Sequence, residues 1–108
     1  MTEIIYIYTL SDDSGVRYVG QTNKPKTRLS YHKYNGSSGR DNTKKGQWIK
    51  RLMDNGKVPT MTIVEECDFD DSYKREAYWK TYHQKQGCNL LNEKGGPKRK
   101  SPLLKSIN

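Results

Sequence analysis

The feature that most constrains the fold is a pair of strand-like segments near the N-terminus, joined by a short turn. Residues 3–10, EIIYIYTL, are rich in β-branched and aromatic side chains, and residues 16–22, VRYVGQT, alternate in polarity. The five residues between them, SDDSG, are dense in turn formers and end at Gly15, which tolerates a positive φ. The sequence therefore predicts an antiparallel β-hairpin.

The register of this hairpin decides which tyrosines share a face of the sheet. Because side chains alternate along a strand, Tyr6, Tyr8 and Tyr18 lie on one face only when paired residue numbers have an even sum. A two-residue turn gives an odd sum, whereas a five-residue turn that pairs Leu10 with Val16 gives an even one. The sequence leaves both registers open, and we expect the even-sum arrangement.

Helical periodicity and strand composition predict the remaining elements. They are a helix from Asn23 to about Asn35, a helix over residues 44–55, a strand over residues 60–66 and a helix from about residue 72 to Gly87. Asn23 is the candidate N-cap of the first helix, and Gly36 is expected to end it. The order β-β-α-α-β-α predicts an α+β fold with a small three-stranded antiparallel sheet flanked by helices.

Length and charge limit the organisation of the chain and its partners. A chain of 108 residues forms one domain, which we expect over residues 1–93, followed by a loosely ordered basic tail over residues 94–108. The net charge of +8 indicates a polyanionic partner such as nucleic acid. Without a signal peptide or an apolar run of about 20 residues, we expect a cytoplasmic protein with no membrane partner.

Two groups of charged residues are candidates for catalysis. Arg28 and His32 are four residues apart, on one face of the first helix, where they could stabilise a phosphate charge and relay a proton. Glu76 could bind Mg²⁺ through its carboxylate. Spacing alone leaves ordinary explanations open: a solvated Arg–His pair, and an ion pair between Glu76 and Lys80.

The second predicted helix carries a basic group around an aromatic residue. Its members are Lys44, Lys45, Lys50 and Arg51. Basic side chains next to an aromatic ring suit nucleic-acid binding, and we expect these four to contact the phosphate backbone. Trp48 itself is expected in the core, because it continues the apolar face of the helix.

The combined spacing resembles the catalytic core of the GIY-YIG nuclease family, as found in phage and intron homing nucleases. The matching segments are Ile4-Ile5-Tyr6, Tyr18-Val19-Gly20, Arg28, His32, Glu76 before Ala77-Tyr78-Trp79, and Cys88-Asn89 leading into Gly95-Gly96. The first Gly of the family name is Ile4 here. The resemblance spans roughly residues 4–96.

This resemblance implies a metal-dependent endonuclease that hydrolyses DNA. The site residues that it implies are Tyr6, Tyr18, Arg28, His32, Glu76 and Asn89. Glu76 would bind one Mg²⁺ or Mn²⁺ ion, and Arg28 would stabilise the transition state. Tyr6 or Tyr18 would activate the attacking water, with Tyr6 favoured as the general base, and Asn89 would hold the site together.

Three functional interpretations stay open at this point. The favoured one is a stand-alone nuclease of phage or mobile-element type that acts on double-stranded DNA. The alternatives are a non-catalytic DNA-binding module of the same fold and a structure-specific or RNA-processing nuclease. The sequence does not determine the target site or whether the protein dimerises on DNA.

Overall fold

The fold is a three-stranded antiparallel sheet covered by helices on both faces. A computed structural model describes residues 3–93. Its elements are β1 (Ile4–Asp12), β2 (Gly15–Thr22), α1 (Pro25–Ser37), α2 (Lys44–Asp54), β3 (Thr60–Asp68), a 3₁₀ turn (Phe69–Asp71) and α3 (Ser72–Lys85). The strand order is β2-β1-β3, with both pairs antiparallel. The predicted α+β fold is confirmed, whereas the basic tail predicted over residues 94–108 lies outside the described residues.

A bulge in β2 determines the register of the β1–β2 hairpin. The turn contains only residues 13–14. A two-residue turn by itself would give the paired residue numbers an odd sum. The ladder then skips Arg17, so that Leu10 pairs with Tyr18. This one extra residue on β2 changes the sum of the paired residue numbers from odd to even. The expected pairing of Leu10 with Val16 is therefore wrong, but the even-sum register holds along the rest of the hairpin.

The two faces of the sheet pack against different helices. One face contributes Tyr8 and Leu10 to a buried cluster with Trp48 and Ile49 of α2, which confirms the core position of Trp48. The other face forms a second cluster from Ile5, Ile7 and Val19, with Trp79 of α3 packed against it. Burial on both faces explains why β1 reads as a nearly continuous apolar run rather than an alternating one.

The ends of α1 differ from the expected capping pattern. The N-cap is Lys24, with no side-chain capping bond, and the Asn23 amide instead donates to the Glu3 carboxylate. The helix also continues through Gly36, where an added Cβ would lie 2.5 Å from a methyl carbon of Ile49. Gly36 therefore permits close packing of α1 against α2 and does not end the helix.

Candidate active site

A cavity of about 460 Å³ opens beside β2, between α1 and α3. Four of the predicted site residues line it: Tyr18, Arg28, His32 and Glu76. They come from β2, α1 and α3, so only the tertiary fold brings them together. Two further lining residues, Tyr8 and Lys45, were not predicted there. Tyr6 and Asn89 are not among the residues that line this cavity.

Tyr8 occupies the place in the cavity that we expected for Tyr6. Tyr8 pairs with Gly20, where an added Cβ would lie 2.6 Å from the Tyr8 hydroxyl oxygen. The missing side chain of Gly20 therefore gives the Tyr8 ring room to lie over β2. Tyr6 pairs instead with Thr22, which has a side chain, and it stays half-buried outside the cavity. Sequence reasoning could have used the small residue opposite Tyr8 as a signal.

A chain of side-chain contacts runs from Tyr8 into the protein. The Tyr8 hydroxyl oxygen lies 2.7 Å from Nε2 of His32, and Nζ of Lys45 lies 3.2 Å from Nδ1 of the same ring. Lys45 also forms an ion pair with Asp41 at 3.0 Å. His32 is 3% exposed, and these two contacts provide a hydrogen-bond partner within the protein for each of its ring nitrogens.

Burial keeps the side chains of Tyr8, Tyr18 and His32 neutral. It raises the pKa of Tyr8 far above the ordinary value, with a further increase from Tyr18. It raises the pKa of Tyr18 to about 12, with Glu76 adding to the increase. Burial lowers the pKa of His32 to about 3, assisted by the positive charge of Lys45. Arg28 lowers the pKa of both tyrosines, but its effect is smaller than that of burial.

Arg28 and His32 lie on one face of α1 and both line the cavity, as the spacing predicts. Arg28 itself is exposed, and its guanidinium carbon lies 5.7 Å from the centre of the Tyr31 ring. Contact with an aromatic face restricts the guanidinium while leaving its N–H groups available. The cavity therefore combines an accessible cation with buried neutral rings.

Glu76 is the buried carboxylate of the cavity, 6% exposed. Its Oε1 accepts a hydrogen bond of 2.7 Å from the Gln21 amide, and its Oε2 lies 3.4 Å from Nζ of Lys80. The i,i+4 ion pair considered from sequence is therefore present, but the carboxylate faces the cavity rather than solvent. Among residues 3–93, no group of three or more His, Cys, Asp or Glu side chains is arranged to hold a metal ion.

The segment after α3 is attached to β2 through Asn92 rather than through the Asn89 side chain. The Asn92 amide accepts from the Val19 N–H at 3.1 Å and donates to the Val19 carbonyl at 2.7 Å. Asn89 is exposed and contributes its backbone carbonyl, which accepts a 3.0 Å bond from Arg17. No sequence signal distinguished the two asparagines.

The four basic residues predicted to bind nucleic acid do not share one environment. Lys44, Lys50 and Arg51 are exposed on α2, and Lys50 pairs with Asp54 at 3.2 Å. Lys45 points into the cavity, where its side chain is 15% exposed. Binding of nucleic acid by these residues stays a prediction.

Comparisons with known proteins agree with this architecture. The family model for the GIY-YIG catalytic domain matches residues 3–89, which is most of the chain. Neither curated proteins nor solved structures gave a match. No helix among residues 3–93 has the length and apolar character needed to cross a membrane. Because the match covers both strands of the hairpin, the helices and the cavity residues, the chain belongs to the GIY-YIG family and carries its nuclease domain.

Proposed function

We propose that the protein is a metal-dependent endonuclease that hydrolyses phosphodiester bonds of DNA. The observation that carries this proposal is a single cavity that joins Arg28, the neutral Tyr8–His32 pair and the buried carboxylate of Glu76. An accessible cation, a proton acceptor and a carboxylate that can bind a metal ion are the groups that metal-assisted phosphodiester hydrolysis requires. The net charge of +8 suits a polyanionic substrate.

Glu76 fits a divalent cation of the Mg²⁺ type. Mg²⁺ retains several waters and commonly binds one or two carboxylates together with substrate phosphate, so a cluster of protein ligands is unnecessary. Glu76 lines an open cavity, and the Gln21 amide already orients its Oε1. When bound, Mg²⁺ or Mn²⁺ would supply positive charge next to the scissile phosphate.

The side chains around Glu76 have distinct roles in this proposal. Arg28 binds the phosphate and stabilises the charge that develops in the transition state. Tyr8 is the general base in place of Tyr6, because its hydroxyl lies in the cavity and contacts His32. The raised pKa keeps Tyr8 a neutral phenol in the protein alone. It accepts the water proton only after nearby cations lower this pKa and the phenol O–H has released its proton to solvent in the cavity. Tyr18 positions the water or a phosphate oxygen.

The exposed basic residues of α2, Lys44, Lys50 and Arg51, extend the DNA contact beyond the cavity. Backbone contacts of this kind carry no sequence information, so recognition is weak and affinity falls steeply with salt. In this proposal the protein is a phage or mobile-element nuclease that acts in the cytoplasm. Asn89 lies outside the cavity and supports β2 through its backbone carbonyl, which accepts from Arg17.

A cleavage panel tests the proposed function. Supercoiled plasmid, forked DNA and RNA are each incubated with Mg²⁺ or Mn²⁺ and limiting protein. We expect open circles before linear plasmid, with nicks at many positions, because one carboxylate serves one phosphodiester at a time. Glu76→Ala should abolish cleavage and leave metal-free DNA binding within about twofold in a gel shift, because the lost group binds the metal and not the DNA.

The other outcomes of the panel each support a different function. DNA binding without cleavage of any substrate would indicate a non-catalytic module. Cleavage of forked DNA or RNA alone would indicate a structure-specific or RNA-processing nuclease. Immediate linear product cut at one site would indicate a dimer that reads base edges. Wild-type cleavage by Glu76→Ala would refute the metal assignment.

A further inference from the structure

Lys45 lies beside the tyrosine–histidine pair of the cavity and is hydrogen-bonded to protein groups. Its Nζ lies 3.2 Å from Nδ1 of His32 and 3.0 Å from Oδ2 of Asp41. The ammonium group also lies 5.2 Å from the centre of the Tyr18 ring. A lysine that served only to attract phosphate would extend toward solvent, as Lys44 and Lys50 of the same helix do. Lys45 therefore has a different function from the exposed lysines of α2.

Asp41 is fixed in the position that holds Lys45. Its Oδ1 accepts from the backbone N–H of Thr43 at 3.0 Å and from the Thr43 hydroxyl. Gly46 provides the space, because a Cβ there would lie 2.1 Å from the Asp41 carbonyl oxygen and 2.5 Å from its carboxyl carbon. The carboxylate thus has one oxygen bound to the N-cap of α2 and the other directed at Lys45.

The contacts of Lys45 determine which nitrogen of His32 carries the proton. A lysine ammonium group has donors but no acceptor, so Nδ1 of His32 must accept from it. A neutral imidazole carries one proton, which is therefore on Nε2. Nε2 then donates to the Tyr8 oxygen at 2.7 Å. This leaves the O–H of Tyr8 to point away from His32.

We propose that Lys45 is a positioning residue for the hydrolysis: it selects the Nε2–H tautomer of His32, which orients the Tyr8 phenol with its O–H toward the cavity. This role rests on the proposed function. Without Lys45, Nδ1 loses its donor and the ring can reverse its tautomer. Nε2 would then accept from Tyr8, and the phenol proton would point at His32 instead of the cavity.

The tautomer can be measured without any cleavage assay. Long-range ¹H–¹⁵N correlation spectra of the ¹⁵N-labelled full chain distinguish protonated from unprotonated ring nitrogens, and the second histidine, His83, serves as an internal reference. We expect the Nε2–H tautomer for His32 in the wild-type protein. In Lys45→Met the Nδ1–H form should appear, while the spectrum of His83 stays unchanged.

Single-turnover cleavage of plasmid DNA gives the second readout. Loss of an orienting partner outside the reacting groups typically costs about 10- to 100-fold, so Lys45→Met should slow cleavage by that factor and leave DNA affinity within about twofold. Lys57→Met is the matched control. Lys57 pairs with Asp13 at 3.3 Å, but its side chain is exposed and does not line the cavity, so this variant should cleave like the wild type.

Any other result would overturn the assignment of Lys45 as a positioning residue. An Nδ1–H tautomer of His32 in the wild-type protein refutes it without any variant. An unchanged tautomer in Lys45→Met, or a loss confined to DNA affinity, would make Lys45 a phosphate contact instead. If the wild-type protein cleaves nothing, the proposed function fails and this role fails with it, even where the spectra show the expected tautomer. Cleavage by the wild-type protein therefore tests the proposed function, whereas the tautomer spectra test the role of Lys45 separately.

Discussion

The hydroxyl oxygen of Tyr8 lies 2.7 Å from Nε2 of His32, which joins the central strand of the sheet to the first helix. Both side chains are nearly fully buried. A hydrogen bond between buried groups is costly to break, because the Tyr8 hydroxyl and His32 Nε2 would each be left desolvated without this partner. The pair therefore holds the phenol in one position at the inner wall of the cavity.

Replacement of Tyr8 and of Tyr6 tests which tyrosine of β1 acts as the general base. Tyr8→Phe removes the proton acceptor and the partner of His32, so we expect cleavage to fall by about 10²-fold or more. Tyr6→Phe is the matched control on the same strand, and it should cleave nearly as well as the wild type because Tyr6 does not line the cavity. Single-turnover rates on plasmid DNA check both. A larger loss in Tyr6→Phe than in Tyr8→Phe would restore the assignment made from sequence.

Arg28 is predicted to act on the transition state. Arg28→Ala should cost about 10²–10³ in rate, equivalent to roughly 2.7–4 kcal/mol. Arg28→Lys keeps the charge but loses the planar fork, so it should also fall well below the wild type. Arg40→Lys is the matched control: Arg40 lies 5.5 Å from the centre of the Tyr34 ring, a similar cation–π contact outside the cavity. Full activity in Arg28→Lys would make Arg28 a simple surface cation.

Gly20→Ala is predicted to disturb the Tyr8 ring. The added Cβ would lie 2.6 Å from the Tyr8 hydroxyl oxygen and 2.9 Å from a ring carbon of Tyr18. Overpacking of this kind typically costs about 1–3 kcal/mol in unfolding free energy, measurable by urea denaturation. In a Tyr8→Leu background the colliding atoms of Tyr8 are absent, so Gly20→Ala should cost less. Equal costs in the two backgrounds would refute this contact.

His32 is predicted to make the free energy of unfolding depend on pH. Burial lowers the pKa of His32 to about 3, against about 6.5 in the unfolded chain. As the pH falls from 7 to 5, only the unfolded state binds this proton, so the unfolding free energy should decrease by about 1–2 kcal/mol. His32→Gln should remove this part of the dependence.

His83 supplies the control for the pH experiment. Burial also lowers the pKa of His83, so its contribution to the pH dependence has the same sign. Urea denaturation of His32→Gln and His83→Gln between pH 7 and 5 separates the two contributions. An unchanged pH dependence in His32→Gln would show that the pKa of His32 is not lowered in the folded protein.

Local sequence patterns determined most of the fold. The element order follows from the β-branched run of β1, the helical spacing of α1, α2 and α3, and the glycine after α3. The predicted element boundaries lie within about two residues of the observed ones. These signals are local, because strand and helix periodicity depends on neighbouring side chains. The errors at Asn23 and Gly36 arose where packing between elements overrode capping preference.

Motif spacing grouped Tyr18, Arg28, His32 and Glu76, which line one cavity in the structure. It also selected Tyr6 for that group, whereas Tyr8 is the tyrosine of β1 that lines the cavity. Sequence alone determined that this chain belongs to the GIY-YIG family. Only the tertiary structure decided which tyrosine enters the cavity and that Lys45 faces His32. The physical reason is that a bulge at Arg17 and the missing side chain of Gly20 act between strands, where single-strand periodicity carries no information.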